Sequence, residues 1–146
     1  MWIRLPNWLG DALLARPLLA ALARAYGSAA IRAAAPEALL SVLGGDRTFG
    51  ASDAWPAHSG ERSRTLGHVR SWRPEAALVL PPSFSSALDA WRTGARVRIG
   101  YAGEARSPLL TRALRRPARG ARHLSEEYLA LGAALGNPNF DGAAPP

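Results

Sequence analysis

The apolar positions of this chain fall into short continuous runs separated by longer stretches with helical spacing, and that alternation predicts an α/β architecture. Residues 2–6 read as a buried strand. From about Asp11 to Tyr26, Leu14, Leu18, Leu22 and Ala25 share one helical face. Pro17 predicts a kink or a restart inside that segment, and Gly27 its end. Ala29 to Ala35 reads as the second strand. Pro36 opens a helix packed by Leu39, Leu40 and Leu43, closed by Gly44-Gly45-Asp46. A short third strand is expected between Thr48 and Trp55, then a helix over Glu61 to Trp72 with Leu66, Val69 and Trp72 turned inward. Ala76 to Leu80 is the clearest buried strand, and Pro81-Pro82 stops it because neither proline can donate to a ladder. The helix after it places Phe84, Ala87, Leu88 and Trp91 on one face, and Gly94 ends it. Arg96 to Tyr101 reads as a fifth strand, with Val97 and Ile99 on one side and Arg96 and Arg98 on the other. The stretch from Ala105 to Ser125 holds six arginines and no acid, and reads largely as loop. A last helix runs from about His123 to Leu135 on a stripe of Leu124, Tyr128, Leu131 and Leu135. Five strands alternating with five helices predict a Rossmann-like parallel sheet flanked by helices.

Composition narrows the reading. The 146 residues suit one domain with one core. There is no cysteine, hence no disulfide framework and no thiolate metal site. His58, His68 and His123 are scattered without a paired spacing, so no metal is expected. No apolar run approaches the roughly 20 residues that span a bilayer. The formal net charge is +7, carried entirely by arginine, which favours anionic partners. Charge alone also allows nucleic acid, but no helix-turn-helix, RRM or KH pattern accompanies it, and the aromatics are not interleaved with the basic run, so no nucleic-acid partner is expected. The Gly-x-Gly-x-x-Gly fingerprint and a Walker-type lysine loop are both absent after the first strand, which argues against nucleotide binding by this domain.

The chemistry concentrates at the first turn. Strand, turn and helix in Leu5-Pro6-Asn7-Trp8-Leu9-Gly10-Asp11 put Asp11 at the carboxyl edge of a parallel sheet, where open α/β folds bind their ligands. A carboxylate there is placed to take a proton from a substrate hydroxyl. The alternative is that Asp11 caps the helix or answers its dipole. Gly10 is expected to supply backbone angles that other residues avoid. Trp2, Trp8, Trp55, Trp72 and Trp91 read as core or edge packing, Trp8 being the exception because it stands beside Asp11.

Pro6-Asn7-Trp8-Leu9-Gly10-Asp11-Ala12 resembles the N-terminal signature of the family 9 glycosyltransferases, the lipopolysaccharide heptosyltransferases. Two later stretches resemble the same family in the same order: Leu80 to Leu88, and Arg98-Ile99-Gly100-Tyr101 followed by Gly103 to Thr111. The likeness runs to about Gly136. It implies an N-terminal domain of a GT-B glycosyltransferase: residues 1–136 an acceptor-binding domain, 137–146 a linker or tail, and a donor-binding C-terminal domain outside the chain. It implies that Asp11 is the general base of an inverting transfer of heptose from ADP-heptose to the lipopolysaccharide inner core, with no cofactor and no metal. The donor would be held only through the missing half. The same likeness implies a cytoplasmic place, with peripheral contact at the inner membrane as an option, because the acceptor is a lipid.

Acceptor-binding candidates follow from the three stretches: Asn7, Trp8 and Gly10, then Ser83, Ser85 and Ser86, then Arg98, Tyr101 and Arg106. The serines open a helix, where hydroxyls and free N–H groups hold a sugar or an anion, or where one serine simply caps. The family carries asparagine where Pro82 stands here, which removes a side-chain donor. Arg98 and Arg106 offer two-pronged contact to phosphate or carboxylate, and Tyr101 a flat face and a hydroxyl. Structurally, Arg98 would instead pair with Glu104 and Tyr101 fill the sheet edge. A second reading of the whole chain is a non-catalytic basic Rossmann-like module that binds an anionic saccharide or lipid.

Overall fold

The computed structural model describes residues 1–103 and 105–142. Six strands alternate with helices: β1 Trp2–Arg4, α1 Leu9–Leu14, α2 Arg16–Tyr26, β2 Arg32–Ala35, α3 Glu37–Leu43, β3 Ala51–Ala54, α4 Ser59–Ser71, β4 Ala76–Val79, α5 Phe84–Arg92, β5 Val97–Tyr101, β6 Arg112–Leu114 and α6 Leu124–Ala133. All strand pairs are parallel, in the order β3-β2-β1-β4-β5-β6. The chain therefore builds outward from β1 first one way and then the other. The reversal falls between β1 and β4, and such a switch point opens a crevice at the carboxyl ends of the two strands.

Alternation along β1 sets the two layers. Ile3 faces the core shared with Leu18 and Leu22 of α2, Leu39, Leu40 and Leu43 of α3, and Tyr128 and Leu131 of α6. Trp2 faces the other core, with Trp55 after β3, Leu66 and Val69 of α4, and Ala87 and Ala90 of α5. The last helix thus crosses back to the side of α2. Close approach there relies on Gly132, whose added Cβ would stand 2.6 Å from both Leu18 Cδ1 and the Phe140 ring.

Several elements differ from the sequence expectation. The first helical segment starts earlier than Asp11, at Leu9, and restarts after Ala15 as Pro17 predicted, with the proline in the first turn of α2. Proline is tolerated there because the first-turn N–H groups have no helical acceptor. The second strand starts later, after a 3-10 turn over Ser28–Ala30. A sixth strand, β6, lies inside the basic run read as loop. It is an edge strand of one arginine, one alanine and one half-buried leucine, so it carries no apolar pattern of its own. Pairing with β5 creates it, from Ile99↔Arg112 to Tyr101↔Leu114.

Trp91, expected as core or edge packing, stands outward on α5. The helix's inward face is Ser86, Ala87, Asp89 and Ala90, while Phe84 is 45% and Trp91 54% exposed. Apolar spacing lost to a polar anchor. The Ser86 hydroxyl donates to the carbonyls of Pro81 (3.0 Å) and Ser83 (2.8 Å), which turns that side of the helix toward the sheet. Small residues then let α5 lie close on β4 and β5.

Candidate active site

The crevice at the switch point holds a pocket of about 220 Å³ lined by Pro6, Asn7, Trp8, Asp11, Pro81, Pro82, Ser83 and Tyr128. Four segments build it. The turn after β1 brings Asn7 and Trp8, and the first turn of α1 brings Asp11. The turn after β4 brings the prolines and Ser83, and α6 brings Tyr128 from across the sheet.

Asp11 is half-buried. It does not cap α1: Trp8 occupies the N-cap position, and no side chain makes a capping hydrogen bond there. Among the described residues the Asp11 carboxylate enters no hydrogen bond and none of the three ion pairs, which are Arg16–Asp46, Arg32–Asp53 and Arg116–Glu127. Tyr128 sits close enough to feel its charge. Burial first, and then the negative charge of Asp11, hold the Tyr128 phenol well above its ordinary value. The phenol stays protonated at neutral pH and presents a donor beside an acceptor carboxylate.

The turn before Asp11 is fixed by a buried arginine. Arg4, 4% exposed, ends β1. Its guanidinium donates to the carbonyl oxygens of Leu5 (2.5 Å) and Ala34 (3.3 Å) and to Oδ1 of Asn7 (2.6 Å). It also lies 5.0 Å from the centroid of the Trp55 ring, a cation–π distance. Burial pulls Arg4 down to about 10, with Asp89 opposing, so it remains charged at neutral pH. Asn7 is thereby held by its carbonyl at the pocket wall. Trp8 next to it is 76% exposed.

The second and third family-like stretches are wired to each other. Arg106 is fully buried. It donates through Nη1 to the carbonyls of Pro81 (2.6 Å) and Ser83 (2.9 Å). Gly100 makes room for it: a Cβ there would stand 2.7 Å from Arg106 Nη2 and 3.3 Å from the Val79 carbonyl. Ser83 caps α5 through the N–H of Ser86 at 3.3 Å, and Ser85 and Ser86 bond back to the same Ser83 hydroxyl.

The sequence candidates therefore divide. Asn7, Trp8, Asp11 and Ser83 converge on one pocket. Ser85 lies beside it, and Ser86 is turned into the α5 anchor. Arg98 gives its guanidinium to the carbonyls of Leu109 and Ala95, both at 2.7 Å. Its expected pairing with Glu104 lies outside the described residues. Tyr101, 6% exposed, donates its hydroxyl to the Glu127 carbonyl at 2.7 Å and fills the sheet edge. Gly10 adopts ordinary helical backbone within α1, and a Cβ on it would meet nothing within 4 Å, so the conformational role expected of it is not used.

Sequence reasoning missed two residues. Tyr128 was visible only as one member of an apolar stripe, because nothing local shows that α6 crosses back over the sheet. Arg4 is a charge inside a strand, which is itself a signal, since an arginine is rarely buried without partners. Beside the crevice, a second concavity of about 410 Å³ is lined by Arg116, Pro117, Arg119, Gly120 and Glu127. Arg116 holds Glu127 at 3.1 Å there. Among the described residues no cluster of three His, Cys, Asp or Glu side chains is placed to hold a metal ion.

No protein-family model matches the chain. Lipopolysaccharide heptosyltransferase 2 of Escherichia coli is 37% identical over 113 residues, covering 72% of this chain and 32% of the relative. The solved structure of E. coli ADP-heptose lps heptosyltransferase II matches with a TM-score of 0.79 at 29% identity, over 90% of this chain and 39% of that one. A family 9 glycosyl transferase from Veillonella parvula matches with the same TM-score, 0.79, at 20% identity over 98% of this chain and 42% of that one, a likeness of fold. A parallel sheet of this order with a carboxylate at its switch point defines the class, a Rossmann-like domain of the GT-B glycosyltransferase type. Within that class the chain is similar to lipopolysaccharide heptosyltransferase 2 in sequence and to the solved heptosyltransferase II in fold. It spans about a third of the length of the curated relatives it matches, 32% in each case.

Proposed function

We propose that the chain is the acceptor-binding, base-carrying N-terminal half of an ADP-heptose:lipopolysaccharide heptosyltransferase, working at the cytoplasmic face of the inner membrane. The observation that carries this reading is Asp11, a half-buried carboxylate in the switch-point pocket that makes no ion pair among the described residues. In the proposed step the Asp11 carboxylate takes the proton of an acceptor hydroxyl. The acceptor oxygen attacks the anomeric carbon of the donor, the bond from that carbon to the diphosphate breaks, and ADP departs with inversion. The Tyr128 hydroxyl and the Asn7 amide are placed to orient the acceptor. The donor is held by the half that this chain does not contain. Arg98 and Arg106 are engaged with backbone, so the exposed arginines around the second concavity, Arg116 and Arg119, are better placed to meet acidic groups of the inner core.

Two titrations followed through backbone amides by NMR test the assignment of halves. A heptose-bearing inner-core oligosaccharide is expected to shift Asn7 to Asp11, Ser83 and Tyr128, and ADP-heptose to shift none of them. The opposite pattern would overturn the assignment. With a donor-binding half supplied in trans, Asp11→Asn is expected to lower transfer by roughly 10²–10⁴-fold, the contribution of a positioned base. Acceptor binding should persist. Unchanged transfer would reduce Asp11 to a residue of the helix's first turn and favour the non-catalytic binding module.

A further inference from the structure

Among the described residues the outward face of α5 packs into neither core. Phe84, Leu88 and Trp91 recur at i, i+4 and i+7 and so form one stripe. Phe84 is 45% and Trp91 54% exposed, Leu88 is half-buried, and none of the three belongs to either core. The helix's one acid, Asp89, is turned inward, so the outward surface carries no negative charge. Arg92 follows Trp91. A groove of about 220 Å³ between α4 and α5 is lined by Ser63, Leu66, Gly67, Arg70 and Arg92, which adds a second cation to the rim. Exposed aromatics edged by arginine are the composition of a helix that lies in a membrane interface.

We propose that α5 is a membrane-seating face, with Phe84, Leu88 and Trp91 in the interface of an anionic bilayer and Arg92 and Arg70 on its headgroup phosphates. Charge complementarity supports this occupant, since the chain carries a net +7. Placement supports it too. Ser83 caps α5 and also lines the Asp11 pocket, so the helix begins at the site. Nine helical residues extend about 13 Å. A seated α5 thus holds the pocket near the headgroup plane, the level at which a lipid-borne saccharide is presented. That last point rests on the function proposed above; the exposed stripe and its charge do not.

The test is binding of the chain to vesicles of equal parts phosphatidylcholine and phosphatidylglycerol, read by co-sedimentation. The exposed pair is replaced together, Phe84→Ser with Trp91→Ser. Val42→Ser, which removes an exposed apolar side chain from α3, is the control. Circular dichroism confirms that each variant folds. The wild type and V42S are expected to bind alike, and the double variant about tenfold or more weaker. Equal binding by the double variant would overturn the proposal and leave diffuse charge attraction. Absence of wild-type binding would overturn it outright. A wild-type dimer that the double variant makes monomeric, seen by sedimentation velocity, would assign the face to a second copy instead. The oligosaccharide titration separates the two readings. Retained shifts in the double variant with lost vesicle binding support the seating face, whereas vesicle binding without any oligosaccharide shifts defeats only the proposed function.

Discussion

Arg4 and Asp89 are buried charges that lie on the same side of the sheet and feel one another. Arg4 has three acceptors, which fix the turn that carries Asn7 and Trp8. Arg4→Met is expected to lose about 1–3 kcal/mol of stability in urea denaturation, because buried acceptors are left without their donor. Arg4→Lys should recover part of the stability and little of the acceptor affinity, since one ammonium cannot replace a fork that reaches three oxygens. Equal recovery of both would mean that the turn does not depend on the fork. Asp89 is held above its ordinary value of 3.8 by burial, against the pull of Arg62, Arg4 and Arg92. A carboxyl raised in the folded state favours folding when protonated. Its contribution is present below the unfolded value and is lost as pH rises through the folded one. Asp89→Asn should therefore match the wild type below about pH 3.8 and be the more stable of the two above that window. Thermal melts across the acid range check it, and a wild type that gains on its variant as pH rises would refute it.

At the level of elements, the three family-like stretches prove to be one edge of the sheet. The turn after β1 and the turn after β4 share the pocket, and Arg106 ties the β5–β6 connection to the second of them. Gly100 exists for that tie, while Gly10 has open space around it. Gly100→Ala should cost about 1–3 kcal/mol by forcing a buried guanidinium aside. Gly10→Ala should be neutral or stabilising by up to about 1 kcal/mol, as for glycine replaced within a helix. Denaturation of the two variants side by side decides this, and a comparable loss at both positions would sink the distinction. Most elements were legible in the sequence because their apolar runs are intrinsic: β4 in Ala76-Ala77-Leu78-Val79, α2 in its leucines, the restart in Pro17. What was illegible depended on partners. β6 is a strand only because β5 lies beside it. The outward turn of α5 follows from Ser86 and Arg106 acting at a distance, and the placement of Tyr128 from the return of α6. The site was legible in the same measure. Asn7, Trp8 and Asp11 stand within one short turn and line one pocket, whereas the backbone carbonyls that accept from Arg98, Tyr101 and Arg106 are distant in sequence and leave no local signal.

At the level of the whole molecule, the candidate site is an open crevice. Its pocket of about 220 Å³ is smaller than the roughly 300–1,000 Å³ that encloses a typical ligand, and it opens at a sheet edge with Trp8 and Leu9 largely exposed beside it. In the proposed reading a saccharide hydroxyl meets Asp11 there, while the described residues offer a nucleotide sugar no enclosing wall on this side, nor a glycine-rich turn to cradle its diphosphate. Reaction requires donor and acceptor to be held together with the base already in place, and that alignment supplies much of the rate. One wall cannot do it. The chain alone is therefore expected to release no ADP from ADP-heptose in the presence of an inner-core acceptor. Adding a donor-binding half, in trans or fused after Pro146, should restore release in an Asp11-dependent way. A coupled assay for ADP decides the matter. Release by the unaccompanied chain would mean that the acceptor crevice also holds the donor, and the division of labour between halves would have to be abandoned. Release that needs the second half but survives Asp11→Asn would keep the division and move the base elsewhere.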